Sequence, residues 1–244
     1  MTHAPRLLAV LAAASLLGAC QKADDAAFGA RVRAYLLEHP EVLREAEIKL
    51  AHNDRIAAQK ASTDAIAKYR GQLEHDTRDF VANPGGKVTV VEFFDYRCGY
   101  CKLAAPQVVE LIQQNPDVRF VFKEFPIFGE VSDTAAKVAL TRSAKAKGLE
   151  LYAALMSEKA LTEDVLDRRL ADLGIDPAQA RKDAQHPQID RQILDVHALA
   201  EALKIDGTPA FIVGDTMVPG ADMPALKAAI AKARGATGPV TTKS

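Results

Sequence analysis

Apolar and polar positions divide the chain into stretches of different period. From about Ala23 to Phe80 the residues are mostly Ala, Glu, Lys, Arg and Gln, strong helix formers, with no glycine between Ala30 and Arg70. Phe28, Val32, Tyr35 and Leu36 recur at helical spacing, and His39-Pro40 ends that helix. A second helix is predicted from about Glu41 towards Gly71, with a thin apolar stripe of Val42, Leu43, Ala46, Leu50, Ile56, Ile66, Tyr69 and Leu73. So thin a stripe cannot make a core alone. It either packs against copies of itself or the main domain, or stays a solvated arm.

After the turn signal Asn83-Pro84-Gly85-Gly86 the period changes. Lys87 to Phe94 is β-branched and aromatic, a buried strand. Cys98 to Gln114 reads as a helix, Asn115-Pro116-Asp117 as a turn and Val118 to Lys123 as a second strand, before a loop marked by Pro126 and Gly129. From about Val131 to Lys204 the pattern is helical, broken at Gly148, Gly174 and His186-Pro187. Strand character returns at Ala210 to Val213, turns at Gly214-Asp215 and continues through Val218. A last helix spans about Met223 to Arg234. The order predicts an α/β fold: strand, helix, strand, a long helical block, a strand pair and a helix, with helices on both sheet faces.

Composition narrows the function classes. Of 244 residues, 48% are hydrophobic and 26% charged, so a real core is expected; 31 Lys+Arg against 32 Asp+Glu gives no basis for a nucleic-acid surface. Three cysteines are too few for a disulfide scaffold. One of them, Cys20, follows a charged start and the apolar run Leu7 to Leu17, which is too short to span a bilayer permanently. Leu17-Gly18-Ala19-Cys20 resembles a bacterial lipoprotein signal, with Cys20 as the lipid-carrying new N-terminus; a plain cleaved signal that contains a cysteine is the alternative. Gln21 rather than Asp after it resembles the outer-membrane-sorted class. Either way an oxidising compartment, the periplasm, is expected.

Cys98-Gly99-Tyr100-Cys101 sits where a strand feeds a helix. A thiol attacks a disulfide as its thiolate, and a helix N-terminus stabilises that charge with unpaired N–H groups and the helix dipole. Cys101, nearly one turn on, lies on the same side and resolves the mixed disulfide. Gly99 and Tyr100 tune the thiolate. Structural zinc needs about four ligands, and no second cysteine pair exists. His39, His52, His75, His186 and His197 read as surface or capping residues, and Asp95, Tyr96 and Arg97 as the rim of the site.

Val91-Glu92-Phe93-Phe94-Asp95-Tyr96-Arg97-Cys98-Gly99-Tyr100-Cys101-Lys102 resembles the active-site segment of DsbA-like periplasmic proteins, nearest the ScsC-like branch. Lys123-Glu124-Phe125-Pro126 and Gly207-Thr208-Pro209-Ala210 are similar to the same family. The resemblance covers about Val81 to Arg234. It implies a thioredoxin fold with a large helical insertion at about 131–204. It implies that Pro209 is a cis-proline facing the cysteines, and that Thr208 lines the client groove. Glu92 is then the buried acid that tunes proton transfer, with Lys123 as its partner; a structural ion pair is the other reading of those two. Arg33 to Leu43 resembles the segment preceding the catalytic domain in ScsC-like proteins, some of which oligomerise through it.

The expected organisation is a signal over 1–20, a helical arm over 21–80, a DsbA-like domain over 81–235 and a disordered tail over 236–244. The expected function is disulfide formation, reduction or isomerisation in exported client proteins. The Cys98–Cys101 disulfide is the redox centre, with no other cofactor and no metal, and a membrane redox partner recycles it. Isomerisation or reduction is favoured over oxidation. The alternatives are an envelope holdase or surface lipoprotein without redox turnover, and a copper-handling dithiol protein.

Overall fold

A computed structural model describes residues 25–237 of the chain. The expected signal, Cys20 and most of the expected tail lie outside the described residues. The chain divides into two compact units, one ending at Gln59 and the other starting at Lys60.

In the first unit, residues 25–38 are helical (α1), and His39 closes that helix by donating its N–H to the Tyr35 carbonyl at 2.8 Å. Pro40 has no N–H to continue the ladder. A new helix, α2, starts at Glu41 and runs to Glu74. Its stretch before Lys60 keeps Leu43, Ile48, Leu50 and Ile56 exposed.

The second unit opens with the last turns of α2, where Ile66 and Leu73 are fully buried. Strands β1 (Phe80–Ala82) and β2 (Val88–Phe94) follow, then α3 (Gly99–Gln114) and β3 (Val118–Glu124). The helical block comprises α4 (Glu130–Ala139), α5 (Arg142–Lys145), α6 (Gly148–Met156), α7 (Glu163–Asp172), α8 (Pro177–Asp183) and α9 (Pro187–Ala202). The chain ends in β4 (Ala210–Val213), β5 (Thr216–Pro219) and α10 (Met223–Thr237). The strand order is β1-β3-β2-β4-β5, with β2 and β3 parallel across the α3 crossover and the other pairs antiparallel. This is the thioredoxin fold with a helical insertion.

Alternation along the strands makes two different sheet faces. Val90, Phe94, Phe120, Phe122, Phe211 and Val213 face a core that also takes Ala104 and Val108 of α3, Leu151 and Tyr152 of α6 and Leu226 of α10. Val91, Phe93, Val121 and Ile212 face a second core, closed by Ile66 and Leu73 of α2 and by Val196, Leu199 and Ala200 of α9. Each fully buried side chain of this size contributes about 1.5–3 kcal/mol.

The helix breaks have local causes. Thr162 and Asp176 cap α7 and α8 by accepting backbone N–H groups of their first turns. His186 caps α9, with Pro187 as its first residue. Gly148 opens α6 because a Cβ there would lie 2.4 Å from the Phe80 ring.

The domain boundary differs from the sequence expectation. It falls inside α2, so the last turns of that helix belong to the second unit. The strand β1, which the sequence reading did not predict and whose residues straddle the expected boundary at 80/81, is the outer strand of the sheet beside β3. The turn signal at Asn83 is real but is no linker. Asn83 Nδ2 donates to the carbonyls of Ile112, Asn115 and Val118 at 2.8, 3.2 and 3.2 Å, pinning the turn to the end of α3.

Candidate active site

The strand β2 ends at Phe94, and Asp95 to Arg97 turn the chain into α3, whose N-cap is Cys98. The turn is held from both ends. The Cys98 N–H donates to the Asp95 carbonyl at 3.1 Å, and the Asp95 carboxylate accepts the Arg97 N–H at 2.6 Å. Cys98 Sγ accepts the Cys101 N–H at 3.3 Å, the capping bond of the helix. As a thiol it also donates to the Thr208 carbonyl at 3.1 Å. That contact places the loop before β4 against the nucleophile, and the Thr208–Pro209 peptide bond in it is cis.

The two sulfurs differ in charge preference. Hydrogen bonding from the Cys101 thiol is the largest influence on Cys98. Burial opposes it, but the Thr208 side-chain hydroxyl and the N–H groups of Cys101 and Tyr100 add to it, and the balance pushes the Cys98 pKa down to about 6. Cys101 is pushed far up, chiefly by burial, by its bond to Cys98 and by repulsion from Glu92. Cys98 is thus held as thiolate and Cys101 as neutral thiol at neutral pH. Access is narrower than a helix N-terminus alone implies: Cys98 is 3% exposed, while Gly99 and Tyr100 face solvent. A Cβ on Gly99 would meet nothing within 4 Å.

Glu92 is fully buried on the face of the sheet that carries α3 and the cysteines. Burial pushes its carboxyl up to about 8, helped by the negative charge of Cys98, while the Tyr152 hydroxyl, donating at 3.1 and 3.3 Å, pulls it down. The expected partnership with Lys123 does not form. Register pairs Lys123 with Phe93 and Glu92 with Phe122, so the acid and the lysine project to opposite faces of the sheet. Lys123 instead forms a buried ion pair with Asp79 and donates to the Gln72 carbonyl at 2.5 Å. Gln192 Nε2 donates to the other Asp79 oxygen at 3.0 Å.

Three neighbours were not given these roles by the sequence. Tyr152 comes from α6, distant in the chain, and no local pattern points to it. Glu124 lies two positions beyond Phe122 on the same face of β3, a placement its strand period signals. Its Oε1 accepts the Tyr96 hydroxyl at 2.9 Å, and burial holds its carboxyl well above the usual range. Asp95, read as rim, is buried and gathers several donors from one loop.

Residues 89–231 match the family model of the DsbA-like thioredoxin domain, and residues 24–59 match that of the copper resistance protein ScsC N-terminal domain. The second match ends where the first compact unit does. The chain is 31% identical over 136 residues to the thiol:disulfide interchange protein DsbA of Bordetella pertussis, a match covering 53% of this chain and 64% of that protein. Among solved structures, BcfH of Salmonella enterica Typhimurium superposes with a TM-score of 0.70 at 34% identity, covering 92% of this chain and 100% of that one. A thioredoxin-like oxidoreductase from Silicibacter pomeroyi DSS-3 gives 0.64 at 39% identity, covering 68% and 98%. The chain spans between 26% and 64% of the length of the curated relatives it first matches.

Proposed function

The chain belongs to the DsbA-like thioredoxin domain family, and from that premise we propose that it is a thiol–disulfide oxidoreductase acting on exported proteins in the periplasm. The observation that carries this reading is the asymmetry of the dithiol, a stabilised thiolate at Cys98 beside a protonated Cys101. In the reducing direction the Cys98 thiolate attacks one sulfur of a client disulfide. A Cys98–client bond forms, and the other client sulfur leaves as thiolate. Cys101 then loses its proton and attacks Cys98 Sγ. The client's second thiolate is released, and the enzyme keeps the Cys98–Cys101 disulfide. The Glu92 carboxylate, formed as pH approaches about 8, is the nearby group able to take the Cys101 proton. Run backwards, the same steps oxidise a client, with a membrane redox partner resetting the pair. Thr208 and Pro209 line the client groove, where backbone pairs with an extended chain.

Isomerisation or reduction is placed ahead of net oxidation. A Cys98 pKa of about 6 is closer to the ~7 of thioredoxin than to the ~3.5 of a strong oxidant such as DsbA. Recovery of a scrambled substrate in a glutathione buffer tests the direction, and no recovery would sink it. Lipid on Cys20 would hold the protein at the membrane; among the described residues no helix is long and apolar enough to cross one.

The first experiment is the ultraviolet absorbance of thiolate against pH on the reduced chain carrying Cys20→Ser. A single transition near pH 6 is expected, lost in Cys98→Ser. A transition near 9.0, the ordinary thiol value, would overturn the reading.

A further inference from the structure

A second concentration of charge lies on the helical block, away from the dithiol turn. Between the α4–α5 corner and the α8–α9 junction is a cavity of about 780 Å³. It shares no lining residue with the dithiol turn, the Thr208–Pro209 loop or the surroundings of Glu92. Its volume suits a small organic molecule, whose sites run to about 300–1,000 Å³. Four cationic side chains line it, Arg78, Arg142, Lys145 and Lys182, against one acid, Asp183.

The nearby acids do not neutralise most of this charge. Arg78 alone is matched, by Asp76 at 2.7 Å and Asp195 at 2.8 Å. Asp183 Oδ1 instead accepts the Gln179 amide at 2.6 Å, one turn back on α8. Arg142 and Lys182 are exposed, and among the described residues neither has an ion-pair partner. Lys145 is half-buried, and its Nζ donates to the Arg78 carbonyl at 2.8 Å rather than to a carboxylate. Arg142 and Lys145 stand three residues apart on α5, so they share a face and repel each other. Burial, the largest influence, pushes the Lys145 pKa down and the Arg142 charge adds to it, against the pull of Asp79 and Asp76. Three cations therefore border one cavity with no carboxylate in contact, in a chain whose formal net charge is -1. Gln185 and Gln188 on the same wall supply neutral amide donors.

We propose that this cavity binds a small polyanion, a molecule carrying two or more phosphate or carboxylate groups, held by Arg142 and Lys145 of α5 at one end and by Lys182 of α8 at the other. Two anionic groups are needed because the cations stand on two walls of the cavity, and one compact anion would leave one wall unmatched. The Arg142 guanidinium takes two oxygens of one group side by side, and each lysine acts as a point charge. The site is independent of the oxidoreductase reading, since the dithiol chemistry uses none of these residues.

The test is isothermal titration calorimetry of the full-length chain with pyrophosphate, citrate and inorganic phosphate at about 0.05 M ionic strength, where screening is weak. Pyrophosphate or citrate should bind saturably at one site per chain. Inorganic phosphate, with one anionic centre, should bind about tenfold more weakly than the tighter of the two. Arg142→Gln and Lys182→Gln should each lower that affinity about tenfold, the scale of one hydrogen bond to a charged group. Both side chains are exposed, so both variants should keep the parent's thermal midpoint without ligand and show a smaller upward shift with it. Lys227→Gln with Lys232→Gln removes charge from exposed positions on α10 that do not line the cavity, and should bind as the parent does. No saturable binding of either polyanion, an affinity unchanged in Arg142→Gln and Lys182→Gln, or an equal loss in the α10 pair would overturn the site. Inorganic phosphate binding as tightly as the polyanions would overturn the two-ended ligand.

Discussion

The two faces of the central sheet bury ionisable groups on opposite principles. On one face Glu92 is covered completely with only the neutral Tyr152 hydroxyl as partner, within electrostatic reach of the two sulfurs. On the other face Lys123 is buried just as deeply, but with a full set of partners: the Asp79 carboxylate, the Gln72 carbonyl and, through Asp79, the Gln192 amide. The first arrangement leaves a group poised to gain or lose a proton. The second ties the lysine into a set of bonds across the sheet and the last turns of α2. Adjacent strands thus carry a proton site and a structural clamp, separated by the thickness of the sheet, and a change to either should be visible without disturbing the other.

The largest expected effect comes from breaking the clamp. Lys123→Met leaves Asp79 buried with only Gln192, and removal of one partner of a buried pair costs about 3–5 kcal/mol. The sign with pH follows from the acid left behind. Burial already raises the Asp79 carboxyl above its usual value against the pull of Lys123, and loss of that pull raises it further. An acid whose folded pKa is raised binds more protons folded than unfolded, so stability falls as pH rises. Denaturant unfolding should therefore find Lys123→Met much weaker at pH 7 than at pH 4. The double variant Lys123→Met with Asp79→Leu should recover most of the loss. The Cys98 titration should stay near pH 6 throughout; a shift there would mean that the two faces are coupled.

The opposite variant is Glu92→Gln. Here the parent is penalised at high pH, because the Glu92 carboxyl, raised to about 8 from 4.5, must ionise inside the core. That penalty is absent below about pH 4.5 and complete above about pH 8. The amide never ionises, so Glu92→Gln should be more stable than the parent at pH 8, the gap closing towards pH 4. Exchange should move the other way. Release of the client from Cys98 should slow by about a hundredfold, the low end for loss of a general base. Stopped-flow measurement of that second step checks the rate, and thermal unfolding across pH checks the stability.

How much of this was legible in the chain follows the range of the interactions. The strand, the cysteine turn and the α3 helix are local patterns, and the structure brings together the residues those patterns singled out, Cys98 with Cys101 and with Thr208. Whether two residues on neighbouring strands share a face is set by register, which no single strand contains. That is why Glu92 and Lys123 could be paired on paper and are not paired in space. The strand β1 has three residues, too few for any period, and the division inside α2 is invisible because helix propensity is uniform across it. Tyr152 and Asp95 were missed as partners for the same reason: their bonds are to residues far along the chain, and a tyrosine in an amphipathic helix looks like any other core residue until its hydroxyl is placed.

The smallest expected effect isolates that hydroxyl. Tyr152→Phe removes a donor to both Glu92 oxygens and little else, since the ring keeps its packing against Phe94 and Phe122 at centroid separations of 5.3 and 4.9 Å. The lost bond favours the ionised carboxylate, so its removal should push the Glu92 carboxyl above 8. One hydrogen bond to a charged group is worth about 1.5–3 kcal/mol, so the midpoint of the pH-dependent stability loss should move up by about one to two pH units. The double variant with Glu92→Gln decides the cause: with no carboxyl at position 92 to ionise, Tyr152→Phe should leave the pH dependence of Glu92→Gln unchanged. A midpoint that moves even then would assign the titration to a group other than Glu92, and the proton site would have to be sought among Glu124 and Tyr96 on the same face.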